Sequence, residues 1–295
     1  MNFKKIKVDL ISILQILRWN KPTGRLILLI PAGWSLWLIP NNQPSLSFII
    51  QIVLGGLLVS GFGCIANDIW DMEIDKKVFR TKNRPLASKK LDKRIAYIIL
   101  ILLIIASLFL TLSIKEKGTI LSLILASVAL PIILIYPSAK RWFKFPQLIL
   151  SICWGFAVLI PWAAIQGNLY SNVLWCCWLA TIFWTFGFDT IYALADKKYD
   201  LEIGINSSPI HLKSYTKITI QICYLLTSIF LGAAVLIKDA NYLFWPIWLI
   251  TSILMQRDTL IIFKTEDHSI SKVSIHFRNQ VIYGGLFLLG IIISN

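Results

Sequence analysis

Nine apolar runs dominate the sequence, and runs of this length and number commit a chain to crossing a membrane repeatedly. Their approximate bounds are 25–39, 48–66, 95–114, 119–136, 147–165, 172–192, 215–237, 242–255 and 277–293. Since backbone polar groups find no water inside a bilayer, each span is expected to be a helix. Only 15% of the residues are charged, against about 25% in soluble domains. The sequence therefore predicts one all-α domain over residues 1–295, a polytopic membrane protein with about nine transmembrane helices.

The basic residues predict the orientation of these helices. Of the 29 Lys and Arg residues, 26 lie in the N-terminal segment or in alternate loops, and the other three are Lys115, Lys117 and Lys238. Positive loops stay in the cytoplasm, so the N-terminus and the polar motifs described below are expected there, at a bacterial inner or plasma membrane. Residues 1–24 are predicted to form a cytoplasmic interfacial segment. Because topology explains the net charge of +14, no nucleic-acid partner is expected.

An acidic motif follows the second apolar run directly. Asp68, Asp71 and Asp75 are spaced i, i+3 and i+7, which places them on one face of a helix. Asn67 adds a neutral oxygen one residue before them. Carboxylate and amide oxygens are hard ligands of the kind that Mg²⁺ prefers. We predict a metal-binding role for these four residues; the alternative is a solvated charge cluster at a helix end.

A second acidic motif follows the sixth apolar run. Asp189, Asp196 and Asp200 are spaced i, i+7 and i+11, again predicting one helical face. Asp196 and Asp200 repeat the spacing of Asp71 and Asp75 at an offset of 125 residues. Ionisable residues at membrane spans are functional hypotheses by default. The two motifs are therefore predicted to be half-sites that face one cavity.

Basic side chains accompany both motifs. Arg80 and Arg84 come soon after the first motif, and Lys140 and Arg141 end a third polar stretch on the same predicted side. Such residues suit a phosphate, although each could simply mark the cytoplasmic side. A diphosphate with a long apolar tail, a polyprenyl diphosphate, would match metal ligands, cations and an aromatic-rich interior together. Loss of its diphosphate leaves an allylic cation, which aromatic faces stabilise and which must be kept from water.

The sequence resembles the 4-hydroxybenzoate branch of the intramembrane aromatic prenyltransferases over nearly its whole length. The resemblance rests on these motifs: Arg18…Lys21-Pro22, Asn67-Asp68-x-x-Asp71-x-x-x-Asp75, Arg80-Thr81-x-Asn83-Arg84-Pro85, Tyr136-Pro137-x-x-Lys140-Arg141, Pro146-Gln147, and Asp189-Thr190-x-Tyr192-Ala193-x-x-Asp196-x-x-x-Asp200. The Asn-Asp-x-x-Asp motif is typical of the superfamily. The tyrosine-containing motifs point to the hydroxybenzoate branch.

The resemblance implies a helical bundle around a central cavity and a Mg²⁺-dependent reaction. A prenyl group would move from polyprenyl diphosphate to the carbon ortho to the hydroxyl of 4-hydroxybenzoate, in ubiquinone or plastoquinone synthesis. No obligatory protein partner is expected beside the bilayer. The implied catalytic residues are Asp71, Asp75, Asp196 and Asp200, which with Asn67 and Asp68 form the implied metal set. The implied substrate-binding residues are Asn67, Arg80, Arg84, Tyr136, Lys140, Arg141, Asp189, Tyr192, Arg18 and Lys21.

Two other functions remain open at this stage. The same chemistry could act on a different aromatic acceptor, such as homogentisate or dihydroxynaphthoate, and only the branch-level resemblance favours 4-hydroxybenzoate. A cation transporter would also use acidic clusters. Its ion site would be expected near the bilayer midplane, whereas these acids lie at the ends of spans beside basic loops.

Overall fold

The structure is a computed structural model that describes residues 3–20, 23–40, 43–264 and 268–295. Over these residues the regular structure is entirely helical. The α-helices are α1 (Phe3–Ile16), α2 (Thr23–Leu38), α3 (Leu46–Asp75), α4 (Lys93–Leu112), α5 (Thr119–Ile135), α6 (Pro146–Gln166), α7 (Asn172–Leu194), α8 (Lys197–Ile203), α9 (Ser208–Leu212), α10 (Thr216–Lys238), α11 (Phe244–Ile262) and α12 (Ile270–Ile293). Two 3-10 helices, Tyr136–Arg141 and Lys213–Tyr215, follow α5 and α9.

Each of the nine apolar runs forms a helix, namely α2 to α7 and α10 to α12. In the described part of the chain, seven are long and apolar enough to cross a membrane, with α5 and α10 counted together with the short helices that adjoin them. The apolar helix α2 is shorter, and α11 has 19 residues. The prediction of an all-helical polytopic membrane protein is therefore confirmed.

Helix α2 lies at the centre of the bundle, where it packs against α6, α7 and α12. Trp34 of α2 is fully buried, and its ring centroid lies 4.9 Å from that of Trp184 of α7. The Trp34 indole donates a hydrogen bond to the carbonyl of Gly284 in α12 over 3.0 Å. A Cβ at Gly284 would come within 2.7 Å of the Trp184 ring. A glycine is therefore needed where these three helices meet.

The C-terminal end of the chain lies against the far end of α2. The side chain of Asn295 donates to the carbonyl of Trp37 over 2.7 Å. The backbone N–H of Asn241 donates to the carbonyl of Ser294 over 2.9 Å. The opposite end of α2 follows Arg18, which contacts the acidic end of α3. The C-terminus and the acidic motifs thus lie at opposite ends of the bundle.

The outer surface of the bundle is apolar. Helix α4 is the clearest case, because in its most hydrophobic stretch only 6% of the residues are buried. Ile101, Leu102 and Phe109 are exposed large side chains on this helix. An apolar surface of this extent is stable only in lipid. The outside of the bundle is therefore the face that contacts the bilayer.

Candidate active site

The first acidic motif lies on the last turns of α3. This helix runs for 30 residues without a break, so it carries the motif on the same rigid element as the membrane span. Asp68, Asp71 and Asp75 are 1%, 2% and 5% exposed. The predicted helical face is therefore present, and it is turned into the protein rather than toward water.

The second acidic motif does not lie on one continuous helix, so that part of the sequence prediction was wrong. Asp189 belongs to α7, which ends at Leu194, and Asp200 belongs to α8. Between them the chain makes a tight turn: the N–H of Asp196 bonds to the carbonyl of Ala193 over 3.2 Å, three residues back. A three-residue bond of this kind ends an α-helix. The turn lets Asp196 point in a direction that a straight helix would not give it.

Two arginines hold Asp68 and Asp75. Arg18 donates twice to the Asp68 carboxylate, over 2.6 Å and 3.2 Å. Arg84 donates to Asp68 over 3.2 Å and to Asp75 over 2.9 Å. Buried carboxylates need such partners to remain ionised. The N-terminal segment and the loop after α3 are therefore both fastened to this motif by charge.

Asp71 faces the 3-10 helix that follows α5. Lys140 forms an ion pair with its Oδ2 atom, and the Arg141 guanidinium lies 3.5 Å from its Oδ1 atom. Oδ1 is buried and accepts no hydrogen bond from any described residue. Arg141 instead donates to the carbonyl of Trp70 over 2.6 Å and lies over that indole ring. Oδ1 of Asp71 thus has hydrogen-bonding capacity left for a ligand, with the charge of Arg141 beside it.

Arg80 joins the two acidic motifs. Its Nε donates to Oδ1 of Asp196 over 3.0 Å, and its Nη2 donates to Oδ2 of the same carboxylate. The guanidinium also lies over the ring of Tyr192, with 5.5 Å between its carbon and the ring centroid. Burial opposes the charge of Arg80, but the bonds to Asp196 raise the pKa of the guanidinium above its ordinary value. A cation from the loop after α3 is therefore fixed on the second motif.

A cleft opens where these elements meet. Including its open mouth, it encloses about 740 Å³. Its lining residues are Asn67, Tyr136, Pro137, Lys140, Pro146, Gln147, Leu150, Asp189, Tyr192, Ala193, Asp196, Asp200, Asn206 and Ser207. Seven of these were predicted as site residues from the sequence.

The remaining predicted residues that the structure describes are not among the lining residues. Asp71 contacts Lys140 of the lining, and Arg80 contacts Asp196. The ion pairs at the end of α3 described above contain four more of them: Asp68, Asp75, Arg84 and Arg18. Lys21 is outside the described residues.

Several lining residues were missed by the sequence analysis as site residues. Gln147 accepts hydrogen bonds from the N–H and the hydroxyl of Ser208, over 2.8 Å and 2.6 Å. The N–H of Asn206 donates to the carbonyl of Lys140 over 2.7 Å. These bonds fix the segment after α8 against α6 and against the 3-10 helix. Gln147 could have been suspected from its place in the Pro146-Gln147 motif, but nothing in the sequence around Asn206 predicts this contact.

The pKa of Asp200, on the cleft wall, lies well above the ordinary value of a carboxyl group. Burial and the nearby charge of Asp196 raise the pKa of Asp200 to about 7, even though Lys140 and Arg80 oppose the shift. A carboxyl group with this pKa exchanges its proton near neutral pH. It would become a full anion readily once a cation came close.

The donor set fits a hard divalent cation that is shared with an anionic ligand. In the described ranges, no three His, Cys, Asp or Glu side chains lie close enough to hold a metal by themselves. The oxygens present are those of Asn67, Asp189, Asp196 and Asp200 at the cleft and Oδ1 of Asp71 behind it, which accepts no hydrogen bond from a described residue. Mg²⁺ commonly takes one or two carboxylates and completes its shell with phosphate oxygens and water. Such a shared site is consistent with this arrangement.

Curated relatives match most of the chain. A 4-hydroxybenzoate solanesyltransferase from Synechocystis sp. is 43% identical over 235 residues, which is 80% of this chain and 79% of the relative. A 4-hydroxybenzoate octaprenyltransferase from Psychromonas ingrahamii is 33% identical over 276 residues, 93% of this chain and 94% of the relative.

Solved structures share the fold of this chain, and a family profile matches its sequence. An apo UbiA homolog from Aeropyrum pernix superposes with a TM-score of 0.72 at 22% identity, over 91% of this chain and 97% of that one. A UbiA homolog from Archaeoglobus fulgidus bound to GPP and Mg²⁺ gives a TM-score of 0.66 at 17% identity, over 94% and 99%. The profile of the UbiA prenyltransferase family matches residues 28–280. The chain therefore belongs to the UbiA prenyltransferase family.

Proposed function

We propose that this protein transfers a polyprenyl group from polyprenyl diphosphate to the ring carbon ortho to the hydroxyl of 4-hydroxybenzoate. The observation that carries the proposal is the meeting of Asp196 and Asp200 with Asn67 at one cleft, which Arg80 and Lys140 tie to the first motif. The relatives named as 4-hydroxybenzoate polyprenyltransferases support the choice of acceptor.

Basic residues are placed to receive the diphosphate as it leaves. The allylic C–O bond breaks with both electrons passing to the diphosphate, so negative charge grows on its oxygens. Lys140 and Arg80 lie at the cleft or directly behind it, where fixed cations stabilise such charge. We propose the same role for Arg84 and Arg141. Because each of these cations holds a carboxylate or carbonyl in the structure, substrate binding exchanges partners rather than creating a new charge site.

Aromatic and apolar groups surround the reacting carbon. Tyr136 and Tyr192 line the cleft beside Leu150, and an aromatic face stabilises a nearby cation. The ortho carbon of the acceptor then forms the new C–C bond, and its proton leaves to a basic oxygen of the cleft. Exclusion of water keeps the allylic cation from hydrolysis. The roles of Asp189 and Arg18 in holding substrate are part of the same proposal.

We further propose that Mg²⁺ is bound by Asp71, Asp75, Asp196 and Asp200, with Asn67 as a neutral ligand and Asp68 as a second supporting carboxylate. When bound, Mg²⁺ neutralises the diphosphate and makes it a better leaving group. A family structure bound to GPP and Mg²⁺ supports this assignment. Hard oxygen donors favour Mg²⁺ or Mn²⁺ over Zn²⁺.

The cleft is proposed to face the cytoplasm of a bacterial cell, at the inner or plasma membrane. The charge bias of the loops carries this orientation. The product would enter ubiquinone or plastoquinone synthesis. No protein partner is part of the proposal.

Another aromatic acceptor is the second candidate, since the cleft chemistry near the diphosphate would be the same. A cation transporter is disfavoured, because Asp68, Asp71 and Asp75 lie on the last turns of α3, whereas the ion site of a transporter is expected near the middle of the span.

Turnover in membranes tests the proposal. Membranes containing the protein are incubated with Mg²⁺, a polyprenyl diphosphate and, in separate reactions, 4-hydroxybenzoate, homogentisate or dihydroxynaphthoate, and products are identified by mass spectrometry. We expect an ortho-prenylated 4-hydroxybenzoate and its loss in EDTA. A product with another acceptor and none with 4-hydroxybenzoate would overturn the assignment, as would full turnover in EDTA.

A further inference from the structure

Arg25, near the start of α2, is a buried guanidinium with two of its three nitrogen donors unused. It is 3% exposed. Its Nη1 donates to the carbonyl of Leu57 in α3 over 3.2 Å. Its Nε and Nη2 atoms are buried and find no hydrogen-bond partner among the residues that the structure describes. Charged N–H groups left unpaired in an apolar setting are strongly destabilising, so this arrangement calls for a ligand.

The unused donors form one complete edge of the guanidinium. Nε and Nη2 are the pair that Arg80 directs at the two oxygens of Asp196, and this fork matches a carboxylate. The plane of Arg25 is already fixed, because its central carbon lies 4.4 Å from the centroid of the Trp19 ring. Nη2 also lies 3.9 Å from the point that a Cβ of Gly61 would occupy, where the side chains of Leu103 and Leu17 come closer still, at 3.1 and 3.3 Å. The open fork is therefore oriented at the contact of α2 with α3 before any ligand binds.

The position of Arg25 relates it to the acidic motif. Leu57, Gly61 and Asp68 are spaced i, i+4 and i+11 on α3, so they share one face of this helix with Asp71 and Asp75. Seven residues separate Gly61 from Asp68, which is about 10 Å along a helix. The acceptor carboxylate, its benzene ring and the allylic carbon of the prenyl diphosphate with its breaking C–O bond, taken in line, cover roughly the same length at about 1.5 Å for each bond.

The other arginines of this region already donate hydrogen bonds to protein acceptors. Arg18 and Arg84 hold carboxylates, as does Arg80, and Arg141 holds a backbone carbonyl. Because Arg25 is buried, it does not contact bulk lipid. An anion that binds it must therefore be small enough to be enclosed by the protein. A monocarboxylate fits this requirement better than a lipid headgroup does.

We infer that Arg25 binds the carboxylate of the aromatic acceptor and so makes the enzyme selective for an acid. The inference rests on the proposed function. With its carboxylate on Arg25, the acceptor lies along α3 with the ring directed at the diphosphate site. Arg25 is then a specificity-determining residue, and it acts at the far end of the acceptor from the bond that forms.

The test compares two acceptors that differ in charge, 4-hydroxybenzoate and its neutral amide, 4-hydroxybenzamide. We expect the wild-type protein to favour the acid in kcat/KM by at least about tenfold, the scale of one charge-assisted bond. Arg25→Gln should bring the ratio close to one and leave the KM for prenyl diphosphate unchanged. Arg94→Gln, at an exposed position near the start of α4, is the control and should keep the wild-type ratio.

A binding measurement makes the result independent of turnover. Equilibrium dialysis of labelled 4-hydroxybenzoate in EDTA should show binding to the wild type and to Arg94→Gln, and none to Arg25→Gln. If Arg25→Gln does not fold, Arg25→Lys keeps the charge but loses the fork, and its KM for the acid should rise several-fold. Unchanged acid selectivity and binding in the folded Arg25 variant would overturn the inference. Failure of the wild type to prenylate 4-hydroxybenzoate would instead overturn the proposed function.

Discussion

Arg80 and Asp196, 116 residues apart in the chain, form a two-bond ion pair between the loop after α3 and the turn after α7. The pair is only partly exposed, with 25% and 18% of the two side chains accessible. It makes the two acidic motifs one unit, because a residue that follows the first motif is fixed by a carboxylate of the second. A site built in this way depends on both motifs at once.

Replacing Arg80 with Lys tests this link. Lysine keeps the charge but cannot hold both oxygens of Asp196. We expect kcat/KM for prenyl diphosphate to fall by about tenfold or more, the scale of one lost charge-assisted bond. The measurement is steady-state kinetics with each substrate varied in turn. Lys82→Arg, at an exposed position two residues on, should behave as wild type, and equal kinetics for the two variants would count against the link.

Among the Asp→Asn substitutions in the two acidic motifs, we expect Asp68→Asn to lower the free energy of unfolding most. Two arginines, Arg18 and Arg84, lose their shared carboxylate, and leaving buried charges unpaired costs about 3 kcal/mol. Thermal unfolding in detergent measures the effect as a lower Tm. Glu73→Gln provides the matched control, since the Glu73 side chain is 71% exposed and surface pairs contribute about 0–1 kcal/mol. A Tm for Asp68→Asn no lower than that of Glu73→Gln would contradict this account of Asp68.

The sequence predicted the helices and the first motif, because both depend on local periodicity. The second motif was placed on one helix, and the structure instead ends α7 at Leu194. No proline or glycine marks that end, so the break follows from tertiary contacts rather than from local preference. The contact of Asn206 with Lys140 joins segments far apart in the chain. Neither residue's local pattern carries information about such a partner.

Arg25 shows a different limit. From the sequence it is one more positive residue at the predicted cytoplasmic end of a span, and loop charge is the expected reason for it. Only the structure reveals that it is buried with two unused donor atoms. Whether an arginine at the end of a span sets topology or serves as a buried donor therefore depends on how the helices pack around it, which the local sequence does not encode.

Arg141→Lys distinguishes a site residue from a charge that sets topology. The change keeps the positive charge, but it removes the fork that holds the Trp70 carbonyl and lies beside Asp71. We expect kcat/KM to fall by a factor that corresponds to about 1–3 kcal/mol. Titrating 4-hydroxybenzoate and the prenyl diphosphate separately shows which substrate is affected. Lys144→Arg is the exposed control, and unchanged kinetics for Arg141→Lys would leave topology as its only role.

The affinity for Mg²⁺ should depend on pH near neutrality. Burial raises the pKa of Asp200 to about 7, so below that pH the free protein carries a proton that a metal must displace. The apparent Mg²⁺ requirement should therefore fall as pH rises from 6 to 8. At saturating Mg²⁺ the same pH change should have a much smaller effect. A Mg²⁺ requirement that is flat across this range would contradict a ligand role for Asp200.

The most direct test of the central claim is a metal-bound structure of this protein. Crystals are grown with Mn²⁺ in place of Mg²⁺ and with an unreactive prenyl diphosphate analogue, and the metal is located by anomalous scattering. The account predicts metal density at the cleft in contact with the analogue and with carboxylates from both motifs, Asp71 or Asp75 on one side and Asp196 or Asp200 on the other. Metal bound to one motif alone, or at a site away from the analogue, would contradict it.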